Sequence, residues 1–198
     1  MTKTIDYFYS LTSPWTFLGH RRLLGLAASV GASINFMPCN LGAVFQVSGG
    51  LPLPKRAPQR VANRMAELKR WRDYLGIPIN VEPKFFPVDA TEATLLVIAA
   101  NASGEDVGAL SEGILRAVWI EERNIADREV LSVIADEQGM NGAALLEKAA
   151  SAEVAAQFEA NTKAAVDANV FGAPTYIIDG DLFWGQDRLN FVERALAG

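Results

Sequence analysis

Between Asp89 and Asp167 the sequence offers helices and nothing else, while both flanks carry strand-like segments. That division constrains the fold more than any single motif does. Strands at the two ends, with a long helical tract between them, read as one α/β domain into which the tract is inserted. Alanine is frequent in the tract, which favours helix. Asp89 with Glu92 three residues on resembles a capping box with Asp in the capping place. Asp127 and Ser151, each with a Glu two residues on, mark further helix starts. Gly139 closes one helix, and Gly142 is expected in a turn.

The N-terminal flank begins with Thr4 to Tyr9, β-branched and aromatic around one Asp, a buried strand. Ser13-Pro14 then signals a helix start, since Ser caps and Pro fits the first helical position. The helix is expected from Pro14 to about Val30, stopping near Gly31, and Ser33 to Cys39 is the next strand. A crossover of that length allows parallel pairing. Asn40 to about Pro54, with three Gly and two Pro, reads as a loop. Gln59 to Leu75 places Val61, Met65, Leu68 and Leu75 on one helical face, and Gly76 and Pro78 end it. Glu82 to Pro87 reads as extended. In the C-terminal flank, Tyr176 to Ile178 and Leu182 to Trp184 are short strands. Asp179-Gly180 between them is a hairpin turn signal, and Asp187 to Leu196 is a closing helix. The expected units are residues 1–88 with 168–198, including a loop-helix excursion at about 40–80, and a helical insertion at 89–167.

Composition narrows the function. The 198 residues are 50% apolar, which suits a packed core. Eighteen Lys+Arg against 23 Asp+Glu leave a net charge of −5, with no basic excess for nucleic acid. One cysteine, Cys39, excludes an internal disulfide and a thiolate zinc site. One histidine, His20, excludes a multi-histidine metal site and argues against a serine–histidine triad. The start is polar and then aromatic, without the apolar core of a signal peptide. The longest apolar run, Leu95 to Ala100, is too short to span a bilayer. A cytoplasmic protein without a metal, membrane or nucleic-acid partner is expected.

Two stretches carry a family resemblance. Ser13-Pro14-Trp15-Thr16 sits where thioredoxin-like oxidoreductases place Cys-x-x-Cys, with Ser13 and Thr16 replacing both sulfurs. Val170-Phe171-Gly172-Ala173-Pro174-Thr175 resembles the cis-proline loop of that fold. Together with Phe183-Trp184-Gly185-Gln186-Asp187-Arg188-Leu189, they make the chain similar to kappa-class glutathione transferases and bacterial 2-hydroxychromene-2-carboxylate isomerases. Leu41-Gly42, Lys55-Arg56, Arg70-Trp71 and Gly76-Ile77-Pro78 extend the resemblance over nearly the whole chain. It implies a thioredoxin-like fold with a large all-helical insertion, glutathione as cofactor, a small-molecule substrate and a homodimer. One departure stands out: where the family has a Gly-Asn pair, this chain has Gly49-Gly50, which is expected to give a more open, mobile loop.

Each singled-out residue also has an ordinary structural reading. Ser13 is a helix cap by local sequence; the resemblance makes its hydroxyl a donor to the glutathione sulfur, which the positive end of the helix also favours. Pro174 is a loop proline by base rate and a cis proline by resemblance. Ala173 before it then offers backbone N–H and C=O groups to the cysteinyl backbone of glutathione. Gln186 and Asp187 are the start and cap of the last helix, or hold the γ-glutamyl carboxylate and ammonium respectively. Lys55 and Arg56 are a surface basic pair, or attract a carboxylate of glutathione or substrate. Trp71 is a core-edge aromatic or closes the substrate pocket. Trp15 and Trp184 are mainly structural, with pocket lining as their alternative role, Cys39 is a buried inert thiol, and His20 is a surface or packing residue rather than a base.

The resemblance thus implies a glutathione-dependent isomerase that interconverts 2-hydroxychromene-2-carboxylate and trans-o-hydroxybenzylidenepyruvate in aromatic degradation. Loss of both motif cysteines argues against disulfide exchange. The alternatives are a kappa-like transferase or peroxidase acting on another electrophile, and a non-catalytic thioredoxin-like binding protein.

Overall fold

The computed structural model describes residues 3–197. β1 (Thr4–Tyr9) leads into α1 (Pro14–Val30), and β2 (Ser33–Pro38) follows. α1 begins where the Ser13 Oγ accepts the Thr16 N–H, with Pro14 in the first helical position. It ends at Gly31, whose φ of 67° few other residues adopt. β1 and β2 pair in parallel, Tyr7 opposite Phe36.

At the other end of the chain, β3 (Thr175–Ile178) and β4 (Asp181–Trp184) form a hairpin. Asp179 and Gly180 both have positive φ at its turn, which matches the twist of the flanking strands. β3 pairs antiparallel with β1, placing Tyr176 opposite Tyr7. The sheet order is β2-β1-β3-β4, so strands from both flanks share one sheet. This is the thioredoxin-like α/β fold that the sequence led us to expect.

Between the flanks lie α2 (Leu41–Ser48), α3 (Pro58–Leu75), α4 (Thr91–Asn101), α5 (Val107–Trp119), α6 (Arg128–Glu137), α7 (Gly142–Ala149) and α8 (Ala152–Asp167). α9 (Leu189–Ala197) closes the chain. α5 packs on α1, and α4 and α8 pack against β2. One core cluster runs through both parts, joining Tyr7 and Tyr9 to Leu96, Leu110, Ile114 and Trp119. Full burial of a side chain such as Leu96 or Ile114 stabilises by about 1.5–3 kcal/mol. On the other face of β1, Phe8 packs with Cys39, Val44, Ala165 and Val170. No described helix is long and apolar enough to cross a membrane.

Several local expectations are corrected. The stretch expected as a loop from Asn40 contains α2. Asn40 caps it by accepting the Ala43 N–H, while its own N–H donates to Thr162 on α8. Asp89 does not cap a helix. Its carboxylate accepts from the Thr91 N–H and hydroxyl, and these bonds hold it below its ordinary pKa. Glu92 turns instead to Arg128, 2.8 Å away. Gly142 is the first residue of α7 rather than part of a turn, because the Ser132 backbone approaches so closely that a Cβ would collide with it. Glu82 to Pro87 is bent, not extended, and is closed by the Phe86 N–H on the Pro83 carbonyl.

Candidate functional site

α1 points its N-terminus at the loop that enters β3, and Ser13 joins the two. Its hydroxyl accepts the Thr16 N–H at 3.2 Å and donates to the Ala173 carbonyl at 3.3 Å. The Ala173–Pro174 peptide is cis. Residues 160 apart in sequence thus share one hydrogen bond, at the positive end of a 17-residue helix. Pro14 has no N–H and the Thr16 N–H is taken. That leaves the Trp15 N–H as an orphan donor of the first turn. The Ala173 N–H also makes no hydrogen bond among the described residues. Ala173 was expected to offer both backbone groups; its carbonyl is instead occupied by Ser13. Thr16, in the second sulfur position of the motif, is fully buried, and its hydroxyl has no partner among the described residues.

Gly172 permits the loop to lie against the neighbouring hairpin, since a Cβ there would collide with the Trp184 indole. Phe171 stacks obliquely on that indole at 4.8 Å, and both rings are exposed. Trp15 is half-buried against the main core.

The turn after β4 differs from its sequence reading. Gln186 to Arg188 is a single 3₁₀ turn, and α9 starts only at Leu189. Asp187 is therefore not the cap of that helix. Gly185, at φ 106° and donating to the Pro174 carbonyl at 2.9 Å, sets the direction of the turn. The Gln186 side chain is buried, and its Oε1 accepts from Arg22 of α1 at 2.6 Å. It pins the turn to α1, and the Gln186 backbone N–H makes no hydrogen bond among the described residues. Asp187 is exposed, with its carboxylate 2.7 Å from Arg188. Arg22 was not singled out from the sequence. The available hint is Gly19, an interior helical glycine against which Gln186 packs.

Lys55 is exposed at the end of a short 3₁₀ turn, and the Arg56 Nε donates to the Leu51 carbonyl at 2.7 Å. Trp71 is half-buried, edge-on to the exposed Tyr74. No hydrogen bond or ion pair ties these three to Ser13 or Ala173. A cavity of about 110 Å³ lies elsewhere, beside β2, with Asn101, Gln157 and Asn161 in its wall.

Behind the Ser13 loop stands a buried aromatic stack. Tyr7 stacks on Tyr9 at 4.4 Å and on Tyr176 at 5.5 Å. Burial pushes all three phenols above their ordinary range. His20 is buried among them. Its Nε2 lies 2.9 Å from the Gly108 carbonyl, which can only accept, so Nε2 carries the proton and Nδ1 accepts from Tyr7. Burial lowers its pKa. Cys39 is buried as expected, which pushes its thiol up to about 12 and disfavours the thiolate.

Comparison with known proteins agrees with this geometry. Residues 4–197 match the DsbA-like thioredoxin domain family. The chain is 28% identical to a 2-hydroxychromene-2-carboxylate isomerase of Sphingobium xenophagum, over 99% of both chains. It is 26% identical to Homo sapiens glutathione S-transferase kappa 1, over 99% of this chain and 92% of the relative. A solved 2-hydroxychromene-2-carboxylate isomerase superimposes with a TM-score of 0.82 at 23% identity, covering 98% of this chain and 94% of that one. The chain belongs to the DsbA-like thioredoxin domain family.

Proposed function

We propose that this protein is a glutathione-dependent isomerase that interconverts 2-hydroxychromene-2-carboxylate and its open-chain benzylidenepyruvate isomer. The observation that carries the reading is the Ser13 hydroxyl, held between the start of α1 and the Ala173 carbonyl beside cis Pro174. End-to-end likeness to an isomerase supports it.

The groups around Ser13 fit a cysteinyl tripeptide. Among the described residues, the Ala173 N–H has no partner, and the Ala173 carbonyl is held only by a hydroxyl that can swing away. Both can pair with an extended backbone, as a strand adds to a sheet edge. When bound, glutathione would supply a thiolate nucleophile suited to reversible addition to the conjugated alkene. Ser13 donates its proton in a hydrogen bond to that sulfur, aided by the Trp15 N–H and the helix dipole. An ordinary thiol has a pKa of about 8.5, so such donors raise the thiolate fraction at neutral pH. Ser13 forms no covalent bond in this scheme. The 3₁₀ turn at Gln186 to Arg188 offers backbone N–H groups to the γ-glutamyl carboxylate and the Asp187 carboxylate to its ammonium. Lys55, Arg56 and Trp71 belong to the substrate side.

Calorimetry with glutathione, followed by turnover of the chromene carboxylate with free thiol counted, tests the proposal. The expected result is binding, isomerisation and no net loss of thiol. Net loss would instead favour conjugation, a second reading supported by the likeness to a kappa transferase. Asp187→Ala should weaken glutathione binding by roughly 1.5–3 kcal/mol, about 10- to 150-fold, while leaving kcat at saturating glutathione unchanged. Arg188→Ala is the control, because it removes only the competing partner of Asp187.

A further inference from the structure

α3 presents a charge where its period calls for a hydrocarbon. Its inward row runs Val61, Arg64, Leu68, Trp71 and Leu75, at three- and four-residue steps. Only Arg64 and Leu68 in the helix are buried, and Arg64 is 9% exposed. Position 65, expected on that row from the sequence, is only half-buried.

A guanidinium has five N–H donors. Those of Arg64 meet the Met65 thioether, 3.8 Å from Nη1, and its Cζ lies 5.6 Å from the centre of the Phe86 ring. Neither partner neutralises a charge. Among the described residues, no carboxylate forms an ion pair with Arg64, Arg60, Arg56 or Lys55. By contrast, the more exposed Arg116, Arg123 and Arg128 each hold a glutamate, in a protein of net charge −5. Burial and the like charge of Arg56 both push the Arg64 pKa down, and Arg60 adds to the field at Arg56. Guanidinium nevertheless stays protonated. Another buried donor adjoins the same ring. The Trp119 Nε1 is buried and has no partner among the described residues, and its indole lies 4.9 Å from Phe86.

We propose that Arg64 is the receptor for a carboxylate of the bound reactants, with Arg56 and Arg60 drawing that anion toward it. A planar fork whose acceptor among the described residues is a thioether, with no carboxylate, fits a carboxylate bidentately. The charge, unfavourable in the free protein, is compensated when the anion arrives. Two sources share this chemistry, the glycyl end of glutathione and the acid group of the substrate. The inference rests on the glutathione-dependent reading for those sources, while the carboxylate site itself is tested separately.

The test compares acids with their esters by calorimetry: glutathione against its glycyl monoethyl ester, and trans-cinnamate against methyl cinnamate. In the parent protein, one pair should show the acid binding about 10-fold tighter or more. In Arg64→Met the gap should vanish, and in Arg64→Lys it should be intermediate, since charge returns without the fork. The pair that shows the gap names the source. Arg64→Met should melt at the same temperature as the parent or higher, because hydrocarbon replaces an uncompensated buried charge. The absence of a gap in both pairs, a gap that persists in Arg64→Met, or a clear fall in its melting temperature would each overturn the assignment. If glutathione fails to bind at all, the functional reading falls, while the cinnamate pair still judges Arg64.

Discussion

Ser13 holds two hydrogen bonds at once, and substitution separates their consequences. Ser13→Ala removes the cap on Thr16 and the bond to Ala173. Stability should fall by about 1–2 kcal/mol, as for a lost cap. Turnover should fall about 10²-fold or more, the usual cost of one donor to a developing anion. Comparing melting temperature with kcat in the same preparation checks both; unchanged turnover would remove Ser13 from the mechanism. His20 gives a different signature. Its imidazole is buried and neutral, so burial holds its pKa below the ordinary 6.5, although the Gly108 carbonyl and the Glu112 and Asp106 charges push back. As pH falls through about 6.5, the unfolded chain takes up a proton before the folded one does, so stability declines and the loss levels off below the folded pKa. Melting temperatures between pH 7.5 and 5.5 should therefore slope downward in the parent and lie flat in His20→Gln. A parent with no slope would mean that burial does not lower the His20 pKa.

At the scale of elements, α2 separates two substitutions that look alike in sequence. Gly49 ends the helix at φ 75° with open space around its Cβ position, a conformation Asn tolerates. Gly50 faces the Phe45 ring so closely that any side chain must displace it. Gly49→Asn should therefore melt within a degree or two of the parent, and Gly50→Asn several degrees lower. Restoring the family's amide is practical only at position 49. α2 also marks where local reading of the sequence stops. α1 was legible because Ser13, Pro14 and Gly31 signal its ends within the helix itself. Asn40 caps α2 locally through Ala43, but its backbone N–H is tied to Thr162, 122 residues away, and no window around residue 40 contains that tie. The candidate site divides the same way. Ser13 and the Ala173–Pro174 loop were legible as motifs through the family resemblance. The inward turn of Gln186 depends on Arg22, 164 residues distant, and a charge on the buried row of α3 breaks the rule by which such rows are found.

Across the whole molecule, sheet and helices draw on one core, in which Tyr7, Leu96, Ile114 and Trp119 belong to a single cluster. Thermal unfolding should accordingly be one transition, with far-UV and near-UV signals falling together. An earlier melt of the helical signal alone would mean that residues 89–167 are held more loosely than their packing implies. The same topology has a consequence for synthesis. β1 is made first, but one of its two edges is completed only by β3, from Thr175 onward. β2 covers the other edge almost at once. At 5–20 residues per second, the nascent chain carries the open edge of Tyr7 and Phe8 for roughly 10–30 s. An aromatic strand edge left bare that long invites pairing with a neighbouring nascent chain. Crowding on the ribosome, more than fragility of the finished protein, is then what should limit its yield in a cell.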